Sequence, residues 1–224
     1  MATHYDITTV TSLPSTQDAA RDALERSGTP TLVVAERQVA GRGRAGREWL
    51  EPTVGMFSSF AFDQRDLGSA MGPIPLCTGL AVRRAIGGGE VDLKWPNDLL
   101  IRGKKVGGIL VEAVDRTVVI GCGVNLWWPD APSFASAVHH ETPPDGAAVD
   151  LAKGWVGEFL SIAAGPAWPL DEYREACVTI GVPVRWDGGV GVAVDVAEDG
   201  TLVVDAPDGR TRVLSGDVHL LPTS

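Results

Sequence analysis

Apolar residues recur along this chain in two periods, and the points where one gives way to the other mark out its elements. Ala19, Ala20, Ala23 and Leu24 fall at helical spacing behind Ser15-Thr16 and Asp18, and Ser27-Gly28 stops the pattern, so a short capped helix is predicted there. The compact run Leu32-Val33-Val34-Ala35 predicts a strand, as does Phe57 to Phe62. Leu76 to Ile86 reads as a buried helix closed by Gly87-Gly88-Gly89. Val91, Leu93 and Trp95 alternate with other residues until Pro96 interrupts. Val106 to Ala113 and Thr117 to Leu126 are apolar, glycine-bearing runs separated by Asp115-Arg116, the layout of a hairpin. Pro129 to Asp150, rich in Pro, Ala and acid, predicts a loop, after which Leu151, Trp155, Phe159 and Ile162 resume helical spacing.

From Thr179 to Ser224 the pattern changes. Val190, Val192, Val194 and Val196 alternate with small or polar residues, and Asp187-Gly188-Gly189, Asp199-Gly200 and Asp208-Gly209 punctuate short strands. A small β-barrel is predicted. It carries three arginines against seven acidic residues, which suits nucleic acid poorly, and its size calls for docking against a larger body.

Composition narrows the function classes. At 224 residues, 44% hydrophobic and 21% charged, the chain has enough apolar material for one to two domains, which excludes intrinsic disorder as the main reading. A net charge of −10 opposes a surface that grips nucleic acid or anionic lipid overall. No apolar run approaches the ~18 residues of a spanning helix, and MATHYDITTV lacks the basic start and apolar stretch of a signal peptide. Cys77, Cys122 and Cys177 have no CxxC spacing and read as buried thiols in a reducing cytoplasm. His4, His139, His140 and His219 form no ligand set.

Against that acidic background, Arg37, Arg42, Arg44 and Arg47 crowd into eleven residues, three of them within the glycine-rich stretch Gly41 to Arg47. Three glycines in seven residues disfavour regular structure, so this segment is predicted to be neither helix nor strand. Guanidinium groups bind phosphate and carboxylate bidentately, and glycine lets backbone N–H groups approach an anion. Alone, the segment fits a solvated loop as well as an anion-binding one; its spacing is that of neither a P-loop nor a dinucleotide fingerprint. Lys94-Trp95-Pro96-Asn97-Asp98 adds an amide and a carboxylate, suited to Mg²⁺ and nucleotide phosphate or simply to a turn. Gly103-Lys104-Lys105-Val106-Gly107-Gly108 places a lysine before a strand with bare backbone, and Gly121-Cys122-Gly123-Val124-Asn125 repeats the arrangement with a terminal amide.

Taken in order, Ser15-Thr16-Gln17, GRGRAGREW (41–49), KWPND (94–98), GKKVGGIL (103–110) and GCGVN (121–125) resemble the biotin protein ligase family over essentially the whole chain. The resemblance is to the catalytic and C-terminal parts. Only fourteen residues precede the first motif, so the helix-turn-helix domain of bifunctional members, and DNA binding with it, is not expected. The resemblance implies an α+β fold: a mixed sheet flanked by helices, as in class II aminoacyl-tRNA synthetases, over 1–178, and an SH3-like barrel over 179–224. It implies biotin and ATP as substrates with Mg²⁺, formation of biotinyl-5′-AMP, and transfer to a lysine of a biotin carboxyl carrier domain. A monomer or homodimer acting without membrane or nucleic acid is expected.

Residue by residue, the resemblance assigns Ser15, Thr16, Gln17, Gln38, Arg42, Gly43, Arg44, Lys105, Gly108, Gly121 and Gly123 to biotin. To the nucleotide it assigns Arg42, Arg44, Arg47, Trp49, Lys94, Asn97, Asp98, Lys105 and Asn125, with Asp98 also toward Mg²⁺. Lys105, Arg44 and Asp98 carry the catalytic role, Lys105 as a positioned charge at the carboxylate and α-phosphate. Gln17 stands where the family usually has Asn. Lipoate or octanoate transfer on the same fold, and a non-catalytic biotin-binding regulator, are the alternatives.

Overall fold

A computed structural model describes residues 4–67 and 73–221. Strand β1 (Asp6–Leu13) leads into helix α1 (Thr16–Ser27), which returns the chain to β2 (Thr31–Gln38), paired parallel to β1. Ser15 occupies the N-cap position of α1 in extended conformation, but its side chain makes no capping hydrogen bond, so the predicted cap is positional only; Gly28 ends the helix in the left-handed region, as the sequence pattern predicts. The arginine-rich segment follows, then β3 (Val54–Asp63), antiparallel to β2. Helix α2 (Ile74–Ile86) ends at Gly87, whose φ of 112° suits a residue without Cβ.

Strands β4 (Asp92–Lys94), β5 (Asp98–Ile101), β6 (Lys104–Val114) and β7 (Thr117–Trp127) complete a mixed seven-stranded sheet in the order β1-β2-β3-β7-β6-β5-β4. The predicted hairpin is β6–β7, turning at Asp115-Arg116. Helix α3 (Ala147–Ala164) buries Trp155, Phe159 and Ile162 and packs on α2 and β3, and a short α4 (Leu170–Ala176) follows. The chain then enters β8 (Pro183–Trp186), β9 (Gly189–Val196), β10 (Leu202–Ala206), β11 (Gly209–Val213) and β12 (His219–Leu220), an antiparallel sheet ordered β11-β10-β9-β8-β12. The expected C-terminal unit runs on to Ser224, beyond the described residues.

One hydrophobic cluster joins both sheets: Val184, Ala193, Val196, Leu202 and Val204 belong with Phe60, Leu80, Trp155 and Phe159. Two tryptophans seal the seam. Trp95 Nε1 donates to Gly200 O at 2.9 Å and Trp168 Nε1 to Glu198 O at 2.8 Å, so each buried indole is satisfied across the junction. Among the described residues no helix is long and apolar enough to cross a membrane.

Candidate active site

A cleft of about 160 Å³ lies between the start of α1, the arginine-rich segment and the glycine-bearing parts of β6 and β7. A water needs only ~10–15 Å³ of such space, so the cleft accommodates a far larger guest. Ser15, Thr16, Gln17, Gln38, Arg42, Gly43, Arg44, Arg47, Trp49, Asn97, Lys105, Gly108, Gly121 and Gly123 all line it, gathering four of the five sequence motifs with part of KWPND. Lys94, Asp98 and Asn125 do not line it; Asp98 touches it through Lys105, and Asn125 lines an adjoining cleft.

The closed end is polar and buried, with Ser15, Thr16, Gln17 and Ser58 all nearly inaccessible. Thr16 donates its backbone N–H and its hydroxyl to Gln38 Oε1, at 2.8 and 3.0 Å. Ser59 Oγ donates to Thr16 Oγ1 at 2.8 Å. Ser58 Oγ accepts from Trp155 Nε1 at 3.0 Å and donates to Cys122 O at 3.3 Å. Neither serine stands out in the motifs, although two adjacent hydroxyls inside the apolar run of β3 are a visible signal. Gln17 Nε2 reaches Leu110 O at 3.4 Å, while its Oε1 is buried with no partner. Burial pushes the Cys122 thiol far up, so this lining residue is no nucleophile.

The three glycines expected to leave bare backbone are covered by the chain's own side chains. A Cβ on Gly121 would meet Gln17 Oε1 at 2.8 Å; on Gly123 or Gly108 it would meet the Trp49 ring at 2.9 and 3.0 Å. The indole thus packs against the glycine positions of β6 and β7, with Lys105 Nζ 5.6 Å from its centroid and its own Nε1 unpartnered.

The arginine-rich segment is anchored on three sides. Residues Arg44–Gly46 make one 3-10 turn, with Ala45 at φ 55°. Arg42 grips Asp18 of α1 bidentately, at 2.7 and 3.0 Å. Those bonds hold the Asp18 carboxyl below its ordinary range and raise the guanidinium. Arg44 donates to Asn97 Oδ1 at 2.8 Å and to Gly216 O at 3.2 Å, and Arg47 donates to Asp217 at 2.8 Å, so residues from the C-terminal sheet region reach the rim. Arg37 instead pairs with Glu51, outside the cleft.

Lys105 is fixed from two directions. Its backbone N–H and C=O bond Phe134 O and Ser136 N, at 3.0 and 2.9 Å, and its ammonium meets Asp98 at 2.6 Å. Lys94 approaches the same carboxylate at 3.4 Å. Asp98, expected to reach Mg²⁺, is therefore held between two cations, and among the described residues no three His, Cys, Asp or Glu gather. This is a poor donor set for a resident metal. Beyond Lys105 a second cleft of about 160 Å³ is lined by Trp49, Asn125, Trp128 and Phe134. Asn125 Nδ2 donates to Ser136 O at 2.9 Å and its Oδ1 is buried without a partner.

The fold is that of protein-modifying ligases. The biotin protein ligase of Aquifex aeolicus in complex with biotin and ATP is similar with a TM-score of 0.80 at 24% identity, over 97% of this chain and 99% of that one. The biotin/lipoate A/B protein ligase family matches residues 9–125. A biotin–[acetyl-CoA-carboxylase] ligase of Mycobacterium tuberculosis is 35% identical, over 84% of this chain and 79% of its own length, and one of Paracoccus denitrificans is 30% identical, over 83% and 88%. The chain belongs to the biotin/lipoate A/B protein ligase family, and it is an enzyme of the ligase class.

Proposed function

We propose that the protein is an ATP-dependent biotin protein ligase that modifies a lysine of a biotin carboxyl carrier domain. The observation that carries this reading is the polarity of the joined clefts: a buried end built of hydroxyls and amides, a cationic middle at Lys105 and Arg44, and an aromatic far end. A bicyclic urea with N–H donors and a carbonyl acceptor suits the first, its carboxylate the second and a nucleobase the third. Residues 1–178 would do the chemistry and 179–224 would form the docked accessory unit.

In the first step a biotin carboxylate oxygen attacks the α-phosphorus of ATP; the new O–P bond forms as the bond to the bridging oxygen breaks and pyrophosphate leaves. Two anions must meet, and Lys105 and Arg44 supply fixed positive charge where they do. Asp98 holds the Lys105 ammonium in place. Asn97 fixes Arg44, Arg42, Arg47 and Lys94 add positive field around the phosphates, and Asn125 and Trp49 serve the nucleotide side. Magnesium would arrive with the nucleotide, as Mg-ATP, and not be held by a resident set of side chains, since none gathers among the described residues. In the second step the carrier lysine amine attacks the acyl carbon, the acyl–oxygen bond breaks, AMP leaves and the amine sheds a proton. The mixed anhydride between these steps survives only while water is excluded, which the anchored arginine-rich segment provides.

Lipoate is the competing acid. Its dithiolane ring offers no N–H, so it would leave the buried Gln17 oxygen at the closed end unpaired. Measuring pyrophosphate release with Mg-ATP and either acid tests the reading: biotin alone should support turnover, and turnover with lipoate alone would reverse it.

A further inference from the structure

We infer that Glu48 receives the side-chain ammonium of the acceptor lysine and guides it to the reacting carbon; this rests on the transfer reaction proposed above. Glu48, Trp49 and Lys105 are the residues that line both clefts, so Glu48 stands at the boundary where the acid's carboxyl group and the α-phosphate would be joined. Among the described residues it is also the only acidic one lining either cleft. The carboxylates around it are paired with cations: Asp18 with Arg42, Asp217 with Arg47, and Asp98 with Lys105 and Lys94. Glu48 is exposed, and its side chain makes no ion pair or hydrogen bond with any described residue.

An unpaired negative charge is misplaced for the first step. Bringing a carboxylate to a triphosphate needs positive field, which Arg42, Arg44, Arg47 and Lys105 supply along the same cleft, and a carboxylate beside them opposes both anions. The second step reverses that requirement, because the arriving nucleophile is a lysine, cationic at neutral pH. A group that meets another protein must also be reachable from outside, as Glu48 is; the Asp98 side chain, 18% exposed and already held by two lysines, is not. The backbone that carries Glu48 is fixed. Glu48 bridges to Arg42 across the turn, Trp49 N donates to Gly41 O at 3.0 Å, and the neighbouring Trp49 ring is packed on Gly123. Glu48 acts as a positioning residue that holds the ammonium at the boundary without taking its proton. The ammonium then loses one proton to water and its nitrogen bonds the acyl carbon as the acyl–oxygen bond breaks. AMP leaves with that electron pair, and the second proton passes to water.

The test gives the full chain, with Mg-ATP and biotin, two nucleophiles: an apo biotin carboxyl carrier domain, whose lysine is cationic, and hydroxylamine, which is uncharged at mildly alkaline pH. Glu48→Gln should lower kcat/KM for the carrier by about three- to fivefold, the size of one exposed ion pair, acting through KM, and should flatten its dependence on ionic strength. Glu48→Lys should lower it by about tenfold or more, since like charges then meet, whereas Glu48→Asp keeps the charge and should retain most of the wild-type value. Capture of the acyl group by hydroxylamine and biotin-dependent pyrophosphate release should not fall in any of the three. Wild-type transfer to the carrier by Glu48→Gln and Glu48→Lys would overturn the assignment. An equal loss with hydroxylamine would overturn it too, as would a loss of pyrophosphate release restored by raising Mg²⁺, which would put the carboxylate on the nucleotide's metal. Wild-type protein that releases no biotin-dependent pyrophosphate, or that forms the hydroxamate but never labels the carrier, would instead overturn the reading beneath it.

Discussion

Replacing Lys105 with Ala separates a positioned charge from a structural one, because the two predict effects of different size on different observables. The lysine side chain is 38% exposed and makes one ion pair, with Asp98 at 2.6 Å. Pairs with that degree of exposure contribute roughly 0–1 kcal/mol. Asp98 is not abandoned when Lys105 goes, since Lys94 remains 3.4 Å from it. The backbone bonds of residue 105 to Phe134 and Ser136 survive the substitution. Stability should therefore fall by less than about 1 kcal/mol. Under the proposed reaction the same charge would face a carboxylate and a phosphate, where loss of one preorganised electrostatic contact costs about 2.7–4 kcal/mol, or 10²–10³ in rate. Urea denaturation and biotin-dependent pyrophosphate release, measured on the same preparation, check both halves. Pyrophosphate release within a few-fold of wild type would refute the catalytic role, and a stability loss above about 3 kcal/mol would show that the residue is structural.

Arg44→Gly removes the bonds to Asn97 and Gly216 that tie the segment over the cleft; adenylate should escape and label lysines of bystander proteins, and wild-type selectivity in a mixture would contradict this. Gly200→Ala drives a Cβ into the Pro73 ring at a residue with φ +82°, at the carbonyl that accepts from Trp95. A cost of about 1–3 kcal/mol should lower Tm by roughly 3–10 °C, and an unchanged melting curve would show the seam between the sheets to be loose. Burial raises the Cys122 thiol, so the folded chain keeps a proton that the unfolded chain loses above pH ~8.5; stability should decline as pH rises through that range, and less steeply in Cys122→Ala. Alkylation of Cys122 in native protein at neutral pH would contradict its burial.

Legibility along the chain tracked burial. Helix α1 was readable from its apolar stripe and closing glycine, β3 from its continuous buried run, and the β6–β7 hairpin from two apolar runs joined by a two-residue turn. Strand β1 was not: Asp-Ile-Thr-Thr-Val-Thr-Ser-Leu pairs on one side only and is mostly exposed, so no alternation records it. Four-residue β5 and seven-residue α4 are too short to show a period. At the site the motifs located most of the lining residues but not the exclusion of Lys94, Asp98 and Asn125 from the cleft, and Gln17, Trp49 and Lys105 sit beside the glycines that give them room. The sequence could not say what fills that room. That Gln17 covers Gly121 and Trp49 covers Gly108 and Gly123 depends on contacts across tens to a hundred residues. The saturation of Gln38 by Thr16 is equally a product of the β2–α1 packing.

The central claim is transfer of biotin to a carrier lysine, and one measurement addresses it directly. The full chain is incubated with Mg-ATP, biotin and an apo biotin carboxyl carrier domain, and the carrier is weighed by intact-protein mass spectrometry. A single addition of one biotinyl group at one lysine, accompanied by stoichiometric AMP and absent when lipoate replaces biotin, is the predicted result. An unmodified carrier, or a carrier modified only in the presence of lipoate, would contradict it.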